Sequence, residues 1–162
     1  MKLRQQAEII ASWTQEEAKA GNMLPKNPNE IMGEIKTGSG RVSFDGGNKP
    51  VAYCRTLTWP TAGIEVGSLV VDPQQRRKGH GTKIVLNAIT TANQTNNGRV
   101  FCLAENGVSR SLFIDLGGRQ MKKADLPQEV WNLCSKPGSQ CSHLDDFPNC
   151  PCVPFDLTNI KK

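Results

Sequence analysis

A basic, glycine-containing turn between an apolar strand and an apolar helix constrains this chain most. The stretch "VVDPQQRRKGHGTKIV", Val70 to Val85, passes through Asp72-Pro73 and enters a helix near Gly79. The first N–H groups of a helix have no partner within the helix, and the helix dipole makes that end positive. Glycine lets the backbone approach a ligand closely because it has no Cβ. The turn therefore predicts a site for a phosphate-bearing ligand, with a solvated basic loop as the alternative.

Hydrophobic spacing along the rest of the chain predicts a mixture of helices and strands. Helical periodicity indicates helices over residues 2–19, 28–35 with Asn27 as the cap, 79–93 closed by "NNG", and 109–118. Alternating or continuous apolar runs predict strands in "RVSF", "VAYCRTLT", "GIEVGSLVV" and "RVFCLA", the first two joined by the hairpin turn "DGGN". This order is typical of one mixed central sheet flanked by helices, so we expect the α/β (α+β) class in a single domain.

Size and charge narrow the class of protein. A chain of 162 residues is long enough for one domain with its own core, and no apolar run is long enough to span a membrane. The opening "MKLRQQAEIIASWTQEE" lacks the apolar stretch and cleavage site of a signal peptide, so we expect a cytoplasmic protein. The net charge of +5 would suit an anionic partner. Few aromatic residues interleave with the cations, which argues against nucleic acid as that partner.

The basic turn resembles the signature motif of the GNAT superfamily of N-acetyltransferases, R/Q-x-x-G-x-G/A after an apolar strand. Arg76, Gly79 and Gly81 occupy its fixed positions. The resemblance implies a GNAT-like domain that uses acetyl-CoA as cosubstrate. It also implies that the loop backbone holds the pyrophosphate and that the preceding strand pairs with the pantetheine arm. The implied cofactor-binding residues are Leu69, Val70, Val71, Arg76, Arg77, Lys78, Gly79, His80, Gly81 and Thr82.

A later stretch, "NGVSRSLFIDLGG", is similar to the superfamily pattern N-x-x-A-x-x-L-Y-x-x-x-G-F. Asn106 matches an asparagine that contacts the cofactor, and Ser109 stands at the alanine position, so the resemblance implies that both bind cofactor. Phe113 stands where many members have the tyrosine that protonates the departing thiolate, and Gly118 replaces the usual aromatic residue. The two motifs together predict an acetyltransferase core over residues 1–125.

Acetyl transfer to an amine requires a group that accepts the proton of the amine. Glu65 lies on the strand that leads to the loop, where some members of the resembled family carry a general-base glutamate. A solvent-facing strand glutamate is the alternative. His80 could act as a base because histidine titrates near neutral pH, but it sits between the two glycines, where only its backbone should matter. Cys102 could act as a nucleophile, but packing in the core explains it better. The sequence shows no clear acid to protonate the departing thiolate. Tyr53, the only tyrosine in the chain, and water are the weak substitutes.

The segment "LPQEVWNLC", Leu126 to Cys134, is similar to the acetyltransferase domain of amino-acid N-acetyltransferases of the N-acetylglutamate synthase type. The resemblance implies a small primary amine as acceptor, most simply a glutamate-like amino acid, whose carboxylates would need cationic partners such as Arg55 and Lys26. A protein N-terminus, a protein lysine or a drug amine is an alternative acceptor. A non-catalytic acyl-CoA sensor is an alternative of another class, and a homodimer is left open.

The six cysteines fall into two groups, and the absence of an export signal argues against a disulfide framework. Cys54 and Cys102 lie in strand-like runs, where a free cysteine is usually a small buried hydrophobic residue. The others belong to a cysteine-rich extension, residues 126–162, which we expect to complete the same domain. Its thiolates could bind a structural zinc ion, with a redox-sensitive disulfide or simple packing as alternatives. The candidate ligands are Cys134, Cys141, Cys150 and Cys152.

Overall fold

The computed structural model describes residues 1–95, 98–132 and 149–160. The helices are α1 Leu3–Lys19, α2 Pro28–Thr37, α3 His80–Thr95, α4 Gly107–Asp115 and α5 Gln128–Asn132. The strands are β1 Gly40–Phe44, β2 Pro50–Trp59, β3 Gly63–Val71, β4 Val100–Ala104, β5 Arg119–Gln120 and β6 Val153–Asp156. Two short 3-10 turns cover Pro73–Gln75 and Lys123–Asp125.

These strands form one mixed sheet in the order β1-β2-β3-β4-β6-β5. β1 is antiparallel to β2, β3 is parallel to β4, and β6 is antiparallel to both β4 and β5. The predicted mixed α/β architecture is therefore confirmed. β6 comes from the C-terminal part of the chain yet lies between two strands that precede it, so this part of the sequence contributes to the sheet.

The chain divides into two compact units. Unit 1 comprises Met1–Thr56 and Gly67–Ala88, and unit 2 comprises Leu57–Val66 and Ile89–Lys162. Their boundaries pass through β2, β3 and α3. The predicted division into a core of residues 1–125 and an extension of residues 126–162 stays a prediction.

The core of unit 1 forms where α1 and α2 bury their apolar faces. Ile10 and Trp13 of α1 pack in one cluster with Ile31 of α2 and Tyr53 of β2. α2 begins where the sequence predicts, because the side chain of Asn27 accepts a hydrogen bond from the N–H of Glu30. The unit therefore combines a helical pair with a strand that carries a buried tyrosine.

The core of unit 2 surrounds Phe101 of β4. Ala62, Leu126, Val130 and Trp131 are buried in this cluster with it. β4 is buried on both faces, as its continuous apolar run predicts. None of the helices in the described ranges has the length and apolarity to cross a bilayer. The predicted C-cap of α3, "NNG", includes Asn96 and Asn97, which lie outside the described residues.

Candidate cofactor and active site

The backbone from Arg76 to Thr82 carries amide groups that are open to a ligand. Across the described residues, none of these seven amides makes a hydrogen bond of normal length and angle to a backbone carbonyl, and the bond that starts α3 runs from Lys83 N to Gly79 O at 3.0 Å. The residues from Arg76 to Gly79 are exposed. A Cβ built on Gly79 would meet no heavy atom within 4 Å. The start of α3 thus offers open, unpaired donors, which is what an anion requires.

The loop conformation gathers these donors. Arg77 and Gly79 both adopt left-handed backbone angles, with φ of 61° and 79°. Left-handed residues that alternate with others direct successive N–H groups toward one concavity that suits an anion. A left-handed arginine is uncommon and strained, so the surrounding structure holds it there.

Gly81 serves a different purpose from the one that the sequence suggests. A Cβ at this position would lie 3.2 Å from Cγ2 of Val71 and 3.8 Å from Cδ2 of Leu69. Gly81 therefore allows the first turn of α3 to pack closely on the end of β3, whereas Gly79 faces open space. That both glycines contact a ligand stays a prediction, and the open space that a ligand would need lies at Gly79.

Some cationic side chains of the loop bind neighbouring residues, and others are exposed to solvent. The guanidinium of Arg76 pairs with the carboxylate of Glu17 on α1, and the ammonium of Lys78 lies 2.8 Å from Oε1 of Gln75. Arg77 and Lys83 are exposed. Arg76 thus anchors the loop to α1 instead of acting as a mobile charge.

β3 contains a backbone irregularity just before the residues expected to meet the pantetheine arm. Ser68 has a φ of 51°, which is strained for a residue with a side chain. Leu69 and Val71 after it are half-buried, and Val70 lies in the core of unit 1. No sequence signal marks Ser68, because serine has no strong preference for left-handed angles.

Glu65, the predicted base, is held by an aromatic residue. The indole Nε1 of Trp59 donates a hydrogen bond to Oε2 of Glu65 at 2.9 Å. Glu65 also pairs in register with Phe101 of β4, which fixes its position along the sheet. The side chain is part-buried and hydrogen-bonded, unlike that of a loose strand-edge glutamate. Sequence reasoning missed Trp59.

The residue at the usual tyrosine position, Phe113, has no acidic proton, and the substitute Tyr53 is buried. Phe113 is buried, and its ring stacks on Phe155 with centroids 6.3 Å apart. Tyr53 is fully buried, and its hydroxyl donates to the carboxylate of Glu34. Burial, followed by this hydrogen bond, raises the pKa of Tyr53 well above its ordinary value. Both residues therefore serve the core.

The two buried strand cysteines also behave as predicted. Cys54 and Cys102 have no exposed surface. Burial raises the pKa of the Cys54 thiol to about 12, so the reactive thiolate is scarce at neutral pH. Both are small hydrophobic residues of the sheet.

Two cations that the sequence suggested as carboxylate partners come together in unit 1. The ammonium of Lys26 lies 2.7 Å from Oε1 of Glu34, and Nη1 of Arg55 lies 3.6 Å from the same oxygen. The exposed fractions of these side chains are 8% for Lys26, 24% for Arg55 and 17% for Glu34. The Nε of Arg55 is buried and has no hydrogen-bond partner among the described residues. The cluster has one positive charge in excess and one unused donor.

Asn106 and Ser109 form the cap of α4. Oδ1 of Asn106 accepts a hydrogen bond from Ser109 N at 2.9 Å, and Asn106 N in turn donates to the Ser109 hydroxyl oxygen at 3.3 Å. This reciprocal pattern is a capping box, which the spacing Asn-x-x-Ser could have indicated. Their implied contact with the cofactor stays a prediction.

The predicted zinc ligands are only partly described. Cys134 and Cys141 lie outside the described residues. Cys150 and Cys152 are buried, and the ammonium of Lys123 lies 2.8 Å from Sγ of Cys150. Within residues 1–95, 98–132 and 149–160, no group of three or more side chains is arranged to hold a metal ion. An ammonium beside a sulfur suits a thiol or thiolate better than it suits a neighbouring dication.

Comparison with known proteins decides the family. The sequence model of the acetyltransferase (GNAT) family matches residues 8–117, which include the glycine turn and all of α4. The chain belongs to the GNAT acetyltransferase family. A relative in Schizosaccharomyces pombe, a UPF0039 protein, is 30% identical over 83 residues, which are 51% of this chain and 55% of that protein. The match thus spans only about half of the relative.

Solved structures of GNAT proteins share the fold. Rv2747 from Mycobacterium tuberculosis, crystallised with CoA and a second ligand, superposes with a TM-score of 0.72 at 20% identity, covering 96% of this chain and 95% of the other. N-acetylglutamate synthase from Neisseria gonorrhoeae, crystallised with coenzyme A and N-acetyl-glutamate, gives a TM-score of 0.70 at 18% identity. That alignment covers 93% of this GNAT chain but 32% of the synthase. The predicted superfamily and fold are confirmed.

Proposed function

We propose that this GNAT protein transfers the acetyl group of acetyl-CoA to a primary amine. The observation that carries the proposal is the run of unpaired amides from Arg76 to Thr82 at the start of α3. Such a run suits a diphosphate, because the amides and the positive end of the helix dipole both favour negative charge. Family membership and the CoA-bound structures of similar folds support the same cosubstrate.

The residues of unit 1 fit the parts of acetyl-CoA in order. The amides of Arg76 to Thr82 would hold the diphosphate, and the exposed Arg77 and Lys83 would add charge. The backbone of Leu69–Val71 would pair with the pantetheine arm. The open space above Gly79 lets the diphosphate approach the backbone. Asn106 and Ser109 remain proposed cofactor contacts.

The chemistry assigned to Glu65 is proton removal. Acetyl-CoA supplies a thioester carbon that an uncharged amine attacks. The carboxylate of Glu65 would take one proton from the ammonium form of the acceptor, and the neutral amine would then attack the thioester carbon to form the new C–N bond. As the C–S bond breaks, the second proton of the nitrogen would pass through water to the departing thiolate, because Phe113 has no proton to give and the Tyr53 hydroxyl is buried on Glu34.

We propose an amino acid of the glutamate type as acceptor. The support is the cluster of Lys26, Arg55 and Glu34, which has an excess positive charge and a buried, unpaired Nε on Arg55. A carboxylate would neutralise that charge and accept from that donor. A protein N-terminus, a lysine or a drug amine would not need such a partner, which separates these alternatives from the proposal.

A second candidate function is a non-catalytic acyl-CoA sensor. It is favoured by the absence of a usable acid at Phe113 and Tyr53. The hydrogen-bonded Glu65 favours the enzyme, because a sensor has no need of an oriented base.

Calorimetry and a thiol-release assay test these proposals. Titration with acetyl-CoA should show binding, and glutamate should then stimulate release of the CoA thiol above the hydrolysis background. Glu65→Gln should abolish the stimulated release, while Glu16→Gln on the exposed face of α1 should leave it unchanged. Binding without release for any amine would favour the sensor, and no binding would contradict both functions.

A structural zinc ion bound by Cys134, Cys141, Cys150 and Cys152 is a separate proposal. Elemental analysis of the purified protein tests it. An equimolar zinc content would support it, and protein free of zinc after purification without chelator would contradict it.

A further inference from the structure

We infer that α5 holds the proposed base in position through the turn between β2 and β3, with Trp59 and Glu129 as positioning residues. The inference rests on the proposed role of Glu65 in proton transfer. It assigns a positioning role to the segment "LPQEVW", Leu126 to Trp131, which has no direct part in the proposed acetyl transfer. Every residue involved belongs to unit 2.

The contact between Trp59 and Glu65 depends on the turn that separates them. Trp59 is the last residue of β2, Glu65 is the third residue of β3, and only Pro60 to Ala62 lie between the strands. The indole nitrogen reaches the carboxylate at 2.9 Å. A change in the turn would move the indole relative to the carboxylate and break this hydrogen bond.

Glu129 of α5 holds that turn with a single oxygen. Its Oε1 accepts hydrogen bonds from Thr61 N at 2.9 Å, from the Thr61 hydroxyl at 2.7 Å and from Ala62 N at 2.9 Å. Hydrogen bonds to an ionised carboxylate are stronger than those between neutral groups. Two consecutive amides of the turn are thereby satisfied by a residue that is more than sixty positions away in sequence.

Packing holds the turn on both sides of these bonds. Ala62 is 2% exposed and lies in one buried cluster with Leu126, Val130 and Trp131, against which Trp59 also packs. After the turn, Gly63 has a φ of 103°, and a Cβ built there would lie 2.1 Å from the carbonyl oxygen of Arg99. The backbone at Gly63 is therefore confined to one conformation by its contact with Arg99.

The surroundings explain why Trp59 needs to be held. An open cavity of about 970 Å³ lies beside the turn, and its lining includes Trp59, Thr61 and Leu126. One part of Trp59 therefore borders open space, while the rest packs against the buried cluster. The Glu129 hydrogen bonds fix the turn and so keep the indole N–H directed at the carboxylate. Misplacing a catalytic group by a small distance has a large effect on rate, so such an arrangement matters for catalysis.

Kinetics of three variants test the inference. Trp59→Phe keeps an aromatic ring and removes the N–H, so kcat should fall about tenfold while KM for acetyl-CoA stays unchanged. Glu129→Gln should lower kcat in the same way by a smaller factor. The matched control is Trp13→Phe, since Trp13 lies in the core of unit 1 and takes no part in the turn between β2 and β3. Its kcat should remain near that of the wild type.

A double variant separates positioning from a structural role. If Trp59 acts through Glu65, then Trp59→Phe should cause no further loss of rate in the Glu65→Gln background. A further tenfold loss there, or an equal loss in Trp13→Phe, would overturn the inference. Loss of activity in Glu65→Gln together with normal activity in Trp59→Phe would overturn this inference alone. Full activity in Glu65→Gln would overturn the role of Glu65 and the inference with it.

Nuclear magnetic resonance tests the contact without any turnover. The indole N–H resonance of Trp59 should shift in Glu65→Gln and in Glu129→Gln, while that of Trp13, in the core of unit 1, should not. An unchanged Trp59 resonance in both variants would overturn the inference even if the protein is an active transferase. Conversely, the expected shifts in a protein that acetylates no amine would leave the hydrogen-bonded arrangement intact and remove the proposed function.

Discussion

A Cβ atom added to Gly81 would lie 3.2 Å from Cγ2 of Val71, so the first turn of α3 rests directly on the end of β3. This close packing places the unpaired amides of the loop beside the strand proposed to bind pantetheine. In unit 1, the relative position of the loop amides and the end of β3, both parts of the proposed cofactor site, therefore depends on Gly81.

The first prediction concerns that packing. Gly81→Val should lower the affinity for acetyl-CoA at least tenfold and the free energy of unfolding by about 1–3 kcal/mol, because the added methyl groups overlap Val71. The control is Gly33→Val in α2, where a Cβ meets no heavy atom within 4 Å. Calorimetry and urea unfolding measure the two effects. Equal behaviour of the two variants would contradict the account of Gly81.

The second prediction is that replacing Arg77 raises the stability of the protein and lowers its affinity for acetyl-CoA. Arg77→Gly relieves a left-handed φ of 61° and should raise the free energy of unfolding by about 1 kcal/mol. It also removes a cation next to the free amides, so affinity for acetyl-CoA should fall several-fold, and more at low salt. Asn48→Gly, at a φ of 60° in the hairpin turn, is the control and should leave affinity unchanged. Unaltered affinity in Arg77→Gly would exclude Arg77 from the site.

The third prediction concerns the buried charge cluster. Lys26→Met should lower the free energy of unfolding by about 2 kcal/mol, because Glu34 would lose an ammonium 2.7 Å away in a largely buried place and keep only the more distant Arg55. Arg4→Met breaks an ion pair of similar length, Arg4–Glu8 at 3.0 Å, whose side chains are 69% and 50% exposed. It should cost less than about 1 kcal/mol. Similar losses in both variants would contradict the burial argument.

The fourth prediction is a pH dependence. The Thr61 hydroxyl, followed by the N–H groups of Thr61 and Ala62, lowers the pKa of Glu129 below its ordinary value of 4.5. The folded state therefore binds this proton less readily than the unfolded state does, and the stabilisation is present above pH 4.5 and is lost as the pH falls further. Glu129→Gln should lose less stability than the wild type does on acidification below pH 4.5. Parallel curves for thermal unfolding against pH would contradict it.

Local pattern was sufficient for much of the fold. The predicted strand "GIEVGSLVV" coincides with β3, and α1 and α2 begin within one residue of their predicted starts. Such segments are predictable because period and capping residues act over a few positions. The basic turn was predictable for the same reason, since strand, glycines and helix adjoin in sequence.

The rest of the site depends on contacts between distant residues. Lys26 and Arg55 could be suggested as cations, but Glu34, which joins them, could not, because nothing in the sequence places α2 against β2. The same holds for Glu129, whose partners lie on a turn far away in the chain. Left-handed angles at Ser68 and Arg77 have no residue signal, because glycine is the usual occupant of such positions.

One titration tests the central claim most directly. Backbone amide resonances of Arg76 to Thr82 should shift on addition of acetyl-CoA and should not shift on addition of S-acetylpantetheine, which lacks the diphosphate. Shifts of these amides with acetyl-CoA alone are the result that the account predicts. Binding of acetyl-CoA that leaves all seven amides unmoved would contradict it.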